Sequence, residues 1–272
     1  MRATSIVRRA LCIGIPLASV LAGQPAFAGP TWDSIRAEVY ADRMIRDGFG
    51  VIAMKAPYRP EDVRSVPIEM DAKLTDGRTI KSVTFIVDEN PSPVAAKFKL
   101  GEGRNRIAIT THIRLNQQSD VRVVVEASDG ELFMSEQLVK FAGGQASCSA
   151  PPMGDPAEIA ANMGKMNFAA VGEKVTASKA IQRARFELNH PNHTGMVLDQ
   201  ITLLYVPLLM VDRIEARQGD ELVFDMEGSI TLGQNPKVEF DYVTNGAEEM
   251  TILARDTSGK IWEKKFPIGP AS

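Results

Sequence analysis

The chain has 272 residues, 44% apolar and 24% charged, with a formal net charge of −3. That is enough apolar material for real cores, and the length favours two modest domains over one. Losing Arg2, Arg8 and Arg9 with an N-terminal leader that carries no acid takes the charge from −3 to −6, a sign that disfavours nucleic acid and anionic membranes as partners.

Residues 1–28 read as a signal peptide. Three arginines form a charged start, Ala10 to Gly23 is an apolar stretch broken by Pro16, and Ala26-Phe27-Ala28 is a small-x-small cleavage site. The apolar stretch is too short and too interrupted for a membrane anchor. A periplasmic location is expected. The adjacent Arg8-Arg9 leaves the Sec and twin-arginine routes both open. Of two cysteines, Cys12 lies in the leader, so Cys148 stands alone after export. No intramolecular disulfide can form. A reactive thiol, an intermolecular disulfide through Cys148 and a buried inert residue remain open.

In chain order, Thr31 caps a helix expected from Trp32 to about Arg46, with Trp32, Ile35, Val39 and Tyr40 on one face. Val51 to Met54 reads as a short strand. From Val66 the period becomes two, and strands follow at Val66–Ala72, Ile80–Val87, Val94–Leu100, Arg106–Leu115, Val121–Ala127 and Leu132–Phe141. Turns at Asp76-Gly77 and Asp129-Gly130 and the prolines Pro91 and Pro93 separate them. Residues 142–165 form a linker. Its first part, with Gly143, Gly144, Ser147 and Ser149 around Cys148, is too small-residued to seek a core and reads as a flexible arm. Its second part opens a short helix, with Asp155 as N-cap and Pro156 in the first turn. Beyond it, strands are expected at Ala180–Asn189, Leu198–Leu209, Glu221–Glu227, Lys237–Tyr242, Glu248–Asp256 and Lys260–Phe266, with Arg213–Gln218 as a short or irregular piece. Short strands at this spacing indicate an all-β chain of two β-sandwich domains, with a short N-terminal helix and a helical linker.

No serine elbow, phosphate-cradling loop or zinc spacing appears. His190 and His193 supply only two ligands on a Pro/Gly turn, so neither metal nor cofactor is expected. His112 sits in an alternating strand and reads as structural. A free thiol titrates near about 8.5, and the only cation near Cys148 in sequence is Lys140, a weak activator. That suits a residue modified by partner enzymes more than one that catalyses alone.

At this cysteine the chain resembles a known family. Val66-Pro67-Ile68-Glu69, the run Phe85 to Pro93, Thr111-His112-Ile113-Arg114-Leu115, Asp129-Gly130, and Val139-Lys140-Phe141 leading into Gly143-Gly144 and Cys148 resemble the SoxY part of SoxYZ, the periplasmic sulfur carrier of thiosulfate oxidation. The run His190 to Met196, with Asn235-Pro236, resembles the SoxZ part. The match is to single-chain SoxYZ-like carriers associated with quinoprotein dehydrogenases. The resemblance implies a SoxY-like domain over 29–141 and a SoxZ-like domain over 166–272, both immunoglobulin-like. It implies Cys148 as the covalent attachment point and Gly143 and Gly144 as the source of the arm's reach. It also implies partners among periplasmic redox enzymes, whether Sox-type or a quinoprotein dehydrogenase and its cytochrome. The family's glycines directly flank its cysteine at a free chain end. Here Gln145-Ala146-Ser147 intervene and Ser149-Ala150-Pro151-Pro152 follow, so the arm is tethered at both ends. The competing reading is a non-catalytic docking module for such a dehydrogenase, with the cysteine incidental. A stand-alone thiol enzyme ranks below both, because the arm offers no pocket or local base.

Overall fold

The computed structural model describes residues 32–268 apart from 142, 144, 145, 177 and 178, and side-chain surroundings are not described over 172–180. The leader expected over 1–28, and Gly144 of the arm, lie outside the described residues.

Helix α1 (Trp32–Tyr40) buries Ile35 and Tyr40 and stops earlier than its periodicity suggests. Ala41 takes a left-handed φ of 52°, which ends the helix, and the chain enters β1 (Ile45–Asp47), a short strand the sequence does not signal. Seven strands complete the first half: β2 (Ile52–Lys55), β3 (Val66–Lys73), β4 (Ile80–Val87), β5 (Val94–Leu100), β6 (Arg106–Ile113), β7 (Ser119–Ala127) and β8 (Leu132–Val139). Helix α2 (Pro156–Asn162) starts as expected, with the Asp155 carboxylate accepting from the backbone N–H groups of Ala157 and Glu158 at 2.8 and 3.0 Å. The second half contributes β9 (Met166–Thr176), β10 (Lys179–Leu188), β11 (Val211–Gln218), β12 (Glu221–Gly228), β13 (Lys237–Val243), β14 (Glu249–Asp256) and β15 (Ile261–Pro267).

The molecule is an all-β sandwich, and its two halves are joined edge to edge. One sheet runs β1-β8-β7-β4-β5-β12-β11-β14-β15 and the other β2-β3-β6-β13-β10-β9. Each half therefore supplies strands to both layers, and both layers cross the seam. β5 pairs antiparallel with β12, placing Phe98 opposite Met226, and β6 pairs with β13, placing Ile109 opposite Phe240. Gly101 permits this approach: a Cβ there would lie 1.8 Å from the Leu222 carbonyl oxygen. A ladder of rings runs through the seam, Phe85 to Phe98 to Phe224 to Phe240, with centroids 5.7, 5.4 and 5.0 Å apart and edges meeting faces. All four are fully buried, and each such ring contributes about 2–3 kcal/mol by leaving water.

Two expectations in the second half change. The apolar run Leu198–Leu209 is not a strand. The Asp199 carboxylate caps a turn by accepting from the N–H groups of Ile201 and Thr202 at 3.0 and 2.7 Å. Only isolated bridges, Leu198 to Tyr205 and His193 to Leu209, tie the loop. No sheet edge covers it, so Ile201 is 92% exposed, with Leu203, Leu204 and Tyr205 also out in solvent. Conversely, β9 arises where small residues hid the pattern, because β10 offers it a free edge.

The shared core predicts one cooperative unit. Trp32 and Trp262, one in each half, should report the same denaturant midpoint in the single-tryptophan variants Trp262→Phe and Trp32→Phe. Phe98→Ala should lower stability by about 3–5 kcal/mol and shift both reporters together. Separate midpoints would show two independent units.

Candidate functional site

The segment after β8 crosses the seam before entering α2, and Cys148 sits where it crosses. Ala146 is extended, and Ser147–Ser149 form one 3-10 turn. Gly143 takes a φ of 95° with open space where a Cβ would stand, so the chain bends there at no steric cost.

The accessible tether expected around Cys148 is not what the fold builds. Cys148 is 1% exposed and Ser147 is equally hidden. The Ser147 hydroxyl donates to the Leu115 carbonyl at 2.8 Å, and the Cys148 N–H donates to Asn116 Oδ1 at 3.2 Å. From the other half, the Thr194 hydroxyl donates to the Cys148 carbonyl at 2.5 Å. The segment is thus stitched to the end of β6 and to the His190–Met196 turn, and Ser149 also has a partner. A little further on, Met153 and Gln234 exchange two hydrogen bonds, at 2.7 and 2.9 Å, pinning the linker to the second half. The small residues that suggested mobility instead allow close packing against polar groups.

The cation at the thiol is Arg114, not Lys140. The Lys140 ammonium lies 5.2 Å from the Tyr58 ring centre, and the charge that acts on the sulfur is that of Arg114. Burial pushes the Cys148 thiol above its ordinary range, while the Arg114 guanidinium and the Ser147 hydroxyl pull it back. Burial likewise lowers Arg114, and the neighbouring sulfur opposes that shift. The Arg114 backbone is fixed by the Thr231 carbonyl, which accepts from its N–H at 2.7 Å, and by Asn90 Nδ2, which donates to its carbonyl at 2.7 Å. Its Nη2 donates across the seam to the Asn192 carbonyl at 2.7 Å. Asn192, at a left-handed φ of 52°, is buried and satisfied by His190, Leu232 and Val211. Sequence reading quoted Arg114 only as part of a motif. Its role depends on which strand end faces the linker, and no local pattern carries that.

The histidines divide. His193 lies in the field of Arg114, whereas His112 is surrounded by Lys237, Glu239, Glu187 and Arg185 and is not brought to the sulfur. His190 packs edge-on against Trp262 with Nε2 3.5 Å from Asp256. Its Nδ1 accepts from the Asn192 N–H at 3.1 Å, which puts the single proton of the neutral ring on Nε2. Among the described residues no three His, Cys, Asp or Glu side chains gather as a metal site.

Residues 36–145 match the family of the sulfur oxidation protein SoxY, and residues 171–267 match that of the sulphur oxidation protein SoxZ. The chain belongs to the SoxYZ family, with both parts in one polypeptide. Cys148 falls in the stretch between the two matched regions. No curated protein matches the chain. Among solved structures, a beta-glycosidase from Bacteroides vulgatus aligns over 80% of this chain and 24% of its own, at 6% identity and a TM-score of 0.22. The chain thus spans about a quarter of that structure's length.

Two outcomes follow from the geometry. Iodoacetamide should trap Cys148 far more slowly in native than in unfolded protein. Asn116→Ala and Thr194→Val, each removing a hydrogen bond worth about 1 kcal/mol, should each speed trapping about fivefold. Unchanged rates would mean that these bonds do not hold the turn shut. Burial also lowers all three histidines below their ordinary 6.5. The folded state then binds fewer protons than the unfolded one. Stability is full above about pH 6.5 and is lost as pH falls through the depressed folded values, which melting temperatures at pH 7.5 and pH 5 will read.

Proposed function

We propose that this chain is a carrier protein of sulfur oxidation that holds a small sulfur-containing group covalently on Cys148, in the periplasm, for partner redox enzymes. The observation that carries the reading is the position of the thiol. It lies between the SoxY and SoxZ parts, beside a guanidinium that favours its ionised form. Oxidative coupling of the thiol to the terminal sulfur of a thiosulfate-like anion forms one S–S bond and releases a proton and two electrons. The partner redox enzyme would accept that electron pair.

Burial makes the carrier gated. Freeing the turn breaks the bonds to Leu115, Asn116 and Thr194. At about 1 kcal/mol each, the open form is populated on the order of one part in a hundred. Sox enzymes, or a quinoprotein dehydrogenase and its cytochrome, would then act on a presented thiol rather than reach into the fold. The leader over 1–28 supports a periplasmic site of action.

A second reading is favoured by a specific observation. The loop around Ile201, Leu203, Leu204 and Tyr205 exposes large apolar side chains, as a docking face does. In that case the protein is an accessory module for a dehydrogenase or cytochrome, and the thiol is incidental.

Mass spectrometry of protein taken from its native source should find an adduct on Cys148 that reductant removes, and Cys148→Ser should abolish the biological role. Full function of Cys148→Ser, with Cys148→Ala still capturing a dehydrogenase as well as wild type does, would select the docking module instead.

A further inference from the structure

The His190–Met196 turn that clasps the Cys148 segment is itself held by one buried ring. The His190 backbone is fixed by Asn235: its N–H donates to Asn235 Oδ1 and its carbonyl accepts from the Asn235 N–H, both at 2.9 Å. Two residues on, the Asn192 N–H donates to His190 Nδ1 at 3.1 Å. A backbone N–H can only donate, so Nδ1 must keep its lone pair for the turn to close. The His190 side chain has no solvent exposure, and its ring meets Trp262 edge to face with centroids 5.9 Å apart. That packing holds the ring in place.

Charged and titratable groups face this ring from several elements. Asp256, at the end of β14, lies 3.5 Å from Nε2, and its other oxygen accepts from Ser258 and Lys260. His193, on the same turn, opposes a second proton. The Lys260 ammonium stands 5.1 Å from the Trp262 ring centre. Asp155 and Glu158, at the start of α2, line a cavity of about 180 Å³ together with His190. Asp256 draws a proton to the ring, but burial outweighs it and leaves His190 below its ordinary 6.5. A ring released into water returns to that value.

We propose that neutral His190 is an acid-sensitive latch on the Cys148 turn: a proton on Nδ1 ejects the Asn192 N–H, and the clasp over Cys148 comes away with it. Asn192 connects the two sites. Its carbonyl accepts from Arg114 at 2.7 Å, its Oδ1 accepts from the Val211 N–H at 2.8 Å, and its Nδ2 donates to the Leu232 carbonyl at 3.0 Å. Moving Asn192 leaves those buried groups unpaired together, which favours release of the whole turn over a small adjustment. Thr194, two residues further on, then gives up the Cys148 carbonyl. The closed form binds fewer protons than the open one, so closure is complete above about pH 6.5 and weakens as pH falls. As regulation of thiol access, the latch rests on the reading of Cys148 as the attachment point.

Iodoacetamide trapping of Cys148 from pH 7.5 to pH 5.5 tests the coupling. Dividing the rate for unfolded protein by that for native protein at the same pH gives a protection that is free of thiol ionisation. In wild type it should fall about tenfold over this range, with far-ultraviolet circular dichroism still native. His190→Gln, which keeps an acceptor but gains no proton, should stay flat within about twofold, and His193→Gln should keep the fall. Constant protection in wild type overturns the latch, as does a fall that needs loss of the circular dichroism signal. An undiminished fall in His190→Gln, or none in His193→Gln, also overturns it. Should His190→Gln not fold, reciprocity decides. Cys148 is 1% exposed, so a carboxamidomethyl group on it holds the turn open, and NMR titration should then show His190 moving up toward 6.5. An unmoved His190 overturns the proposal. The carrier reading fails separately: acid-dependent access without a native adduct leaves the latch and removes the carrier, and a native adduct with pH-independent access does the reverse.

Discussion

The pairing of β5 with β12 and of β6 with β13 is the constraint on which the rest depends. Two sandwiches merely packed face to face could slide or hinge. Here each layer continues through backbone hydrogen bonds, and the ring ladder from Phe85 to Phe240 fills the space between the layers. Register along β6 is thereby set from both sides, by β3 and by β13. The residues just past its end, Arg114, Leu115 and Asn116, arrive at a defined place relative to the His190–Met196 turn.

That juxtaposition makes the site. Neither half contains it alone: the first supplies Arg114, Asn116 and the Leu115 carbonyl, and the second supplies Thr194 and Asn192. The polar groups are satisfied in pairs across the seam, which is why Ser147 and Cys148 can lie buried without the usual cost of unpaired amides. The guanidinium and the thiol share that enclosure and act on each other's ionisation. A tethered cysteine of this kind differs from one at a free chain end. Its exposure is an equilibrium set by a few hydrogen bonds, and those bonds are available for a partner to compete with.

Much of the fold was legible in the residues. Alternation at Val66, Ile68, Met70 and Ala72, the Asp129-Gly130 turn and the Asp155-Pro156 helix start each carry their own local physics, and each element appears where it should. The misreadings share one cause. Leu198–Leu209 has the composition of a strand but no sheet edge to join, and Asp199 captures its backbone into a turn. β9 has an indifferent composition but a waiting edge. Around Cys148, composition argued for mobility because small residues lack bulk to bury, yet small residues also let backbone and hydroxyl groups come close enough to bond.

By itself the chain's pattern determined an all-β architecture in two halves, a linker between them and one cysteine on that linker, because periodicity, turn chemistry and cysteine count are local properties. Tertiary structure alone decided that the two halves share both sheets, that the thiol lies under cover, and that its neighbour is Arg114, a residue thirty-four positions away in sequence. Those outcomes turn on which strand edges meet, and edge pairing is a long-range event that no short window of residues encodes.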